Sequence, residues 1–211
     1  MSAPQNTYSY TRPIGRPPSR AYSPRSSKQK SIWAKAFTRI AILAVVIVAA
    51  ILAFYGSLVL SADRLTLDQQ ATVQNAIKVL EARGFTDEVT YLRRYAVFRS
   101  SDNWLNASVD KENAYAATNY PFEIVTLYPA FFKDPIDDTE RAVVLLHEAR
   151  HLQGKDEKDA YEFVWKNRKQ LAWTADKYKG TEVFQQVSEH TRQYAPLLFV
   201  CDFHVSGDCT E

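Results

Sequence analysis

From Ile40 to Leu60 the chain runs for 21 residues without a charge, between Arg39 and Asp63. At 1.5 Å per residue such a helix is about 30 Å long, the thickness of a bilayer's hydrocarbon layer. A soluble core helix is rarely apolar on every side for so long, so the run predicts a transmembrane helix. Trp33 and Phe37 at one end and Tyr55 towards the other stand where interfacial aromatics belong. Beyond the run the pattern turns amphipathic. Thr66-Leu67-Asp68-Gln69 has the spacing of a capping box, and Val73, Ala76, Ile77 and Leu80 follow at helical intervals, which predicts a helix over 66–83 ended by Gly84. Between Glu88 and Arg99, β-branched and aromatic residues favour a strand, whereas Tyr91, Leu92 and Tyr95 fit a helix; both readings stay open.

Residues 100–118 are polar and read as a loop, and Phe122 to Tyr128 alternates as a strand should before Pro129. Asp137 with Glu140 three residues on marks a helix N-terminus, predicting a helix from about Asp138 to Gln153 with Gly154 just past its end. A further helix over 157–172 places Glu157, Ala160, Tyr161, Val164, Trp165, Leu171 and Ala172 on one stripe, with Lys158, Asp159, Glu162, Lys166 and Lys169 opposite. The last helix, about Thr181 to Ala195, aligns Val183, Val187, His190 and Tyr194. The sum is a helix-rich α+β domain behind one N-terminal transmembrane helix.

Charge sorts by region. Residues 1–39 hold eight basic side chains and no acid, leaving 18 basic against 24 acidic residues in the remainder. The net +2 is therefore not that of a basic protein, and no nucleic-acid partner is expected. Lysine and arginine excess marks the cytoplasmic side of a membrane helix, so the expected order is a disordered cytoplasmic arm over 1–31, a signal-anchor over 32–61 and an exported domain over 62–211. A cleaved signal peptide is the competing account, though its basic region would be unusually long and no clean A-x-A site follows. Cys201 and Cys209 lie close together in the exported part, where an oxidising compartment would join them in a disulfide. Asn106-Ala107-Ser108 is a glycosylation sequon, of consequence only in a eukaryotic source.

The chemistry concentrates in Leu145 to Glu157, L-L-H-E-A-R-H-L-Q-G-K-D-E. Histidines four apart share one helix face, so His147 and His151 can reach the same ion at about 2.0–2.1 Å. Glu148, between them, can act on the ion's water as general base without being a ligand. A third ligand is needed, and Glu157 is the best placed, six residues after His151 and past a glycine; Asp156 and His190 are the alternatives. A lone carboxylate on a buried stripe is costly unless it binds a cation, the competing partner being Arg168. Tyr161, Tyr194 and His190 are candidates to stabilise an oxyanion, each also readable as a packing residue.

His147-Glu148-x-x-His151 with Gly154 resembles the zincin metallopeptidases, and the frame over 147–157 is similar to the metzincin consensus. It departs at the last position, Glu157, where metzincins carry histidine; a glutamate third ligand on a following helix is the gluzincin habit. The resemblance covers about residues 138–165. It implies a zincin-like exported domain, a Zn2+ cofactor and hydrolysis of a peptide or protein substrate, with the strand over 122–128 as an edge for an extended chain. The expected protein is thus a membrane-anchored zinc peptidase of a bacterial inner membrane, facing the periplasm. The alternative is a non-catalytic zinc-binding envelope protein that serves as a binding or scaffold module. Substrate and oligomeric state do not follow from the sequence.

Overall fold

The computed structural model describes Gly15 and residues 27–105 and 114–199, with side chains from residue 32 onward. Residues 1–14 and 16–26 of the basic arm, the 106–108 sequon, His204 and the Cys201–Cys209 pair lie outside the described residues, whereas residues 27–31, read as the end of a disordered arm, are the first turn of a helix. The chain falls into two units, Met1–Ala49 and Ala50–Glu211.

Helix α1 (Ser27–Leu60) contains the uncharged run. Its segment Ile32–Leu60 is long and apolar enough to cross a membrane, and it is almost wholly exposed. Isoleucines, leucines and valines bared along a helix are stable only where something apolar surrounds them. In the second unit the order is α2 (Leu67–Ala82), α3 (Thr86–Arg94), β1 (Val97–Arg99), β2 (Ala116–Asn119), β3 (Ile124–Leu127), α4 (Pro129–Lys133), α5 (Asp138–Leu152), α6 (Glu157–Lys166), α7 (Ala175–Tyr178), α8 (Glu182–Tyr194) and a 3-10 turn at Pro196–Phe199. The class is helix-rich α+β, as expected.

Helix α2 starts where its capping box places it: the Thr66 hydroxyl accepts the Gln69 N–H at 3.2 Å, and the Gln69 side chain accepts the Thr66 N–H at 2.9 Å. Its buried residues are the four read from the sequence, Val73, Ala76, Ile77 and Leu80. The stretch 88–99 divides rather than choosing, helix to Arg94 and strand from Val97. The helical spacing of Tyr91 and Leu92 and the β character of Val97 and Phe98 are both used, one after the other.

The sheet has the order β1-β3-β2, with β1 parallel to β3 and β2 antiparallel to it. Two expectations change here. β3 does not alternate; all four of its residues are buried, because it is the central strand and both its faces are covered. It therefore offers no edge. The edge strands are β1 and β2, and β2 lies inside the stretch read as a loop, where Ala116-Ala117-Thr118-Asn119 carries neither bulk nor alternation to signal a strand.

Helix α5 is the central element of this unit. Ala142, Val143, Leu145, Leu146 and Ala149 are fully buried, and the helix packs on α2, α3, α6 and β2. Its start is fixed by Asp137, whose carboxylate accepts the N–H groups of Thr139 and Glu140 at 3.0 and 3.2 Å. Glu140 does not close a capping box. Fully buried, it accepts the Ile136 N–H at 2.9 Å and hydrogen bonds from Trp173 and Thr181, tying the N-terminus of α5 to the following segments. A second aromatic layer of Trp165, Trp173, Tyr178 and Phe184 closes the core beneath α6 and α8.

Candidate metal centre

The two histidines leave α5 one turn apart and converge: His147 Nε2 and His151 Nε2 are 3.0 Å from each other. Glu157, the first residue of α6, completes a triangle, one carboxylate oxygen 3.3 Å from His147 Nε2 and the other 3.4 Å from His151 Nε2. Among the described residues this is a grouping that could hold a metal ion. The turn between the helices makes it. Gln153 caps α5, the Gly154 N–H donates to the His151 carbonyl at 2.8 Å and the Lys155 N–H to the Arg150 carbonyl at 3.0 Å, a Schellman closure that requires the left-handed conformation Gly154 adopts (φ 73°). Asp156 then caps α6, accepting the Asp159 N–H at 2.9 Å, and it is not part of the His-His-Glu grouping.

The same turn orients His151. Lys155 O lies 2.9 Å from His151 Nδ1. A carbonyl can only accept, so that contact puts a proton on Nδ1 and makes Nε2 the nitrogen that faces the centre. His147 has no such support: its Nδ1 is buried without a hydrogen-bond partner. Its ring is held by packing instead, 4.7 Å from the His151 ring and 4.3 Å from the Tyr161 ring.

Charge is concentrated here. Burial alone would lower the His151 pKa, but the hydrogen bond with Glu157, the Glu148 charge and the Lys155 carbonyl outweigh it and raise the value to about 9. Reciprocally, hydrogen bonds from His147 and His151 hold the Glu157 carboxyl well below the usual carboxylate range. Glu157 does not sit in the core, as its place on the stripe predicts; its side chain is 49% exposed and aimed at the histidines from the solvent side. Nor does it pair with Arg168, which stacks on Trp165 and donates to the Trp165 carbonyl at 2.9 Å. The stripe misleads because α6 ends at Lys166, where Asn167 Nδ2 turns back on the Phe163 carbonyl at 2.7 Å, leaving Ala172 exposed beyond the helix.

Glu148 is buried, 4% exposed, on the wall of a cleft of about 560 Å³ that the His-His-Glu group also lines. Its Oε2 accepts the Thr118 hydroxyl at 2.7 Å, which connects the helix to the open edge of β2. His190 and Tyr161 line the cleft, with the Tyr161 hydroxyl 3.2 Å from His190 Nδ1. Burial, together with the Glu157 and Glu148 charges, pushes the Tyr161 pKa up, so its hydroxyl keeps its proton. Tyr194 does not reach the cleft; it stacks on Tyr161 from behind, rings 5.5 Å apart and nearly parallel. Arg150 is drawn to Asp159 at 2.7 Å and Glu88 at 3.5 Å and locks α3, α5 and α6 together outside the cleft.

Sequence reasoning misses Thr118 and Tyr120, both in the cleft wall. Thr118 gave no signal within a run of small and polar residues. Tyr120 precedes a proline, which reads only as a turn. No protein-family model matches the chain, and no curated protein or solved structure matches it.

Proposed function

We propose that the chain is a membrane-anchored zinc peptidase, with His147, His151 and Glu157 as ligands and Glu148 as general base. The observation that carries this is the triangle of candidate ligand atoms beside an open cleft. Ligands at about 2.0–2.1 Å from a tetrahedral ion lie about 3.3–3.4 Å from one another. Here the two nitrogens are 3.0 Å apart and each lies 3.3–3.4 Å from a different oxygen of the Glu157 carboxylate, so the three side chains converge closely enough to share one ion. Two nitrogens and a carboxylate oxygen are also the donor set that suits zinc, and three ligands leave a coordination position open.

Zinc, when bound, supplies Lewis acidity to a peptide carbonyl and makes water a stronger acid. Glu148, with Oε2 fixed by Thr118, takes the proton from the attacking water. Tyr161 and His190 stand on the cleft wall as donors for the negative charge that develops on the carbonyl oxygen, and Tyr194 backs the Tyr161 ring. An extended peptide fits the open edge of β2, whose residues Ala116, Ala117 and Thr118 line the cleft. The charge-free run of α1 and the basic residues before it support a single-pass anchor with the N-terminus in the cytoplasm and the domain exported, in the periplasm for a bacterial source.

The test uses the full chain in detergent. Purified protein is expected to carry one zinc per chain, and His147→Ala to lose it. Glu148→Gln is expected to keep the zinc while peptide hydrolysis falls by about 10²-fold or more. Zinc content unchanged in His147→Ala sinks the ligand set, and undiminished cleavage by Glu148→Gln sinks the mechanism. Zinc without hydrolysis in the wild type favours the binding or scaffold module.

A further inference from the structure

The last two turns of α1 are packed against the domain that follows them. Phe54 meets Trp104 edge-on with ring centres 5.7 Å apart, and Phe122 at 5.6 Å. The Ser57 hydroxyl accepts the Trp104 indole N–H, and the Ser61 hydroxyl accepts the Trp104 backbone N–H, each at 3.2 Å. Leu58 is fully buried, and Arg99 Nε donates to the Val59 carbonyl at 3.1 Å. The helix end is therefore a built part of the domain.

Its height matters. Phe54 stands six residues before Leu60, about 9 Å along the helix axis. If the run Ile40–Leu60 fills the hydrocarbon layer, Phe54 lies within that layer, and Trp104 and Phe122, in contact with it, reach below the level of the helix end. The side chains around them suit such a place. Trp104 is 50% exposed and Tyr120 64%, and Leu105 is also exposed. An exposed tryptophan and tyrosine beside apolar neighbours are costly in water and favoured at a membrane interface. Just past the helix end, Arg64 and Arg99 line a second cavity of about 280 Å³. Tyr120 joins this edge to the cleft: it lines the cleft wall and lies over Gly154, its ring about 3.5 Å from where a Cβ on that glycine would stand.

We propose that the edge formed by Trp104, Leu105, Tyr120 and Phe122 is seated in the interfacial layer of the bilayer that α1 crosses, so that the rim of the cleft at Tyr120 lies at the lipid surface. The occupant of this face is lipid, the headgroup and upper acyl region. The inference rests on reading Ile32–Leu60 as a membrane span, and it does not depend on zinc or on hydrolysis.

The full chain is reconstituted into phosphatidylcholine and phosphatidylglycerol vesicles, with and without lipids brominated near the glycerol end of the acyl chains. Trp165 and Trp173 are buried, so Trp33→Phe leaves Trp104 as the exposed indole and Trp104→Phe leaves Trp33. In Trp33→Phe, brominated lipid is expected to remove the Trp104 emission while aqueous iodide leaves it. Iodide quenching there without lipid quenching, while Trp33 in Trp104→Phe responds to lipid, overturns the seating and keeps the span. Lipid quenching of neither indole overturns the span and the seating together. The double variant Trp33→Phe/Trp104→Phe is expected to ignore brominated lipid; equal quenching in it assigns the signal to the buried pair and also overturns the proposal.

Discussion

The two histidines of the His-His-Glu group are held by different means, and the difference has consequences at single residues. His151 is aimed by a backbone carbonyl, which no side-chain substitution removes, whereas His147 depends on the Tyr161 ring beside it. Glu148 depends on one hydroxyl. Thr118→Val keeps the shape of the side chain and removes the bond to Glu148 Oε2, leaving a buried carboxylate free to turn. Steady-state kinetics on this variant are expected to give a kcat lower by roughly ten-fold, part of what a positioned base contributes, with KM and zinc content unchanged. A variant that loses zinc instead would make Thr118 a structural support of the helix rather than a positioning residue. His147, Glu148 and His151 were legible because a helical period fixes which side chains meet. Thr118 was not, since its partner stands 30 residues away and depends on how a strand of small residues is placed.

Element ends decide whether the site forms. Gly154 has φ 73°, and a Cβ there would meet only ordinary contacts with Tyr120, so the cost of Gly154→Ala is conformational, about 1–2 kcal/mol. Thermal unfolding should show that loss, and zinc affinity should fall with it because the turn delivers Glu157. Asp137, the N-cap of α5, is the other such point. Burial raises its pKa, but hydrogen bonds from Lys177 and Tyr178, both 2.7–2.8 Å long, and from the Glu140 N–H bring it below its ordinary value. A folded-state pKa below the unfolded one means the stabilisation is fully present above the unfolded value, near 3.9, and is lost as pH falls through the folded value. Asp137→Ala should therefore lower stability by about 1 kcal/mol at neutral pH. The gap between wild type and variant should narrow on acidification below pH 4, followed by denaturant melts; a constant gap would remove the ionised cap from the account. The caps of α2 and α5 were readable, because capping is a local matter between neighbours in sequence. The sheet was not, because four-residue strands take their pairing from distant partners.

At the scale of the molecule, an ion bound by folded chains and not by unfolded ones adds to stability by mass action. With zinc at one hundred times its dissociation constant the gain is about 2.7 kcal/mol. Adding a chelator to the zinc-loaded protein should lower the melting temperature by several degrees, and the His147→Ala protein should not respond. An equal response in that variant would mean the chelator acts elsewhere. Helix-rich class and the apolar helix were visible in the sequence because both are properties of composition and period. The seating of Trp104 against Phe54 was not, since it depends on where a loop returns after 47 residues of chain separate Trp104 from Ser57.

The three candidate ligands come from a stretch of eleven residues, His147 to Glu157. Closing so short a loop costs little entropy, and both helices that hold it carry their own caps. The hairpin of α5 and α6 carries all three candidate ligands, and α8 brings only His190 to the cleft. If the chain takes up an ion as proposed, the hairpin has every piece to hold it before α8 completes the wall of the cleft.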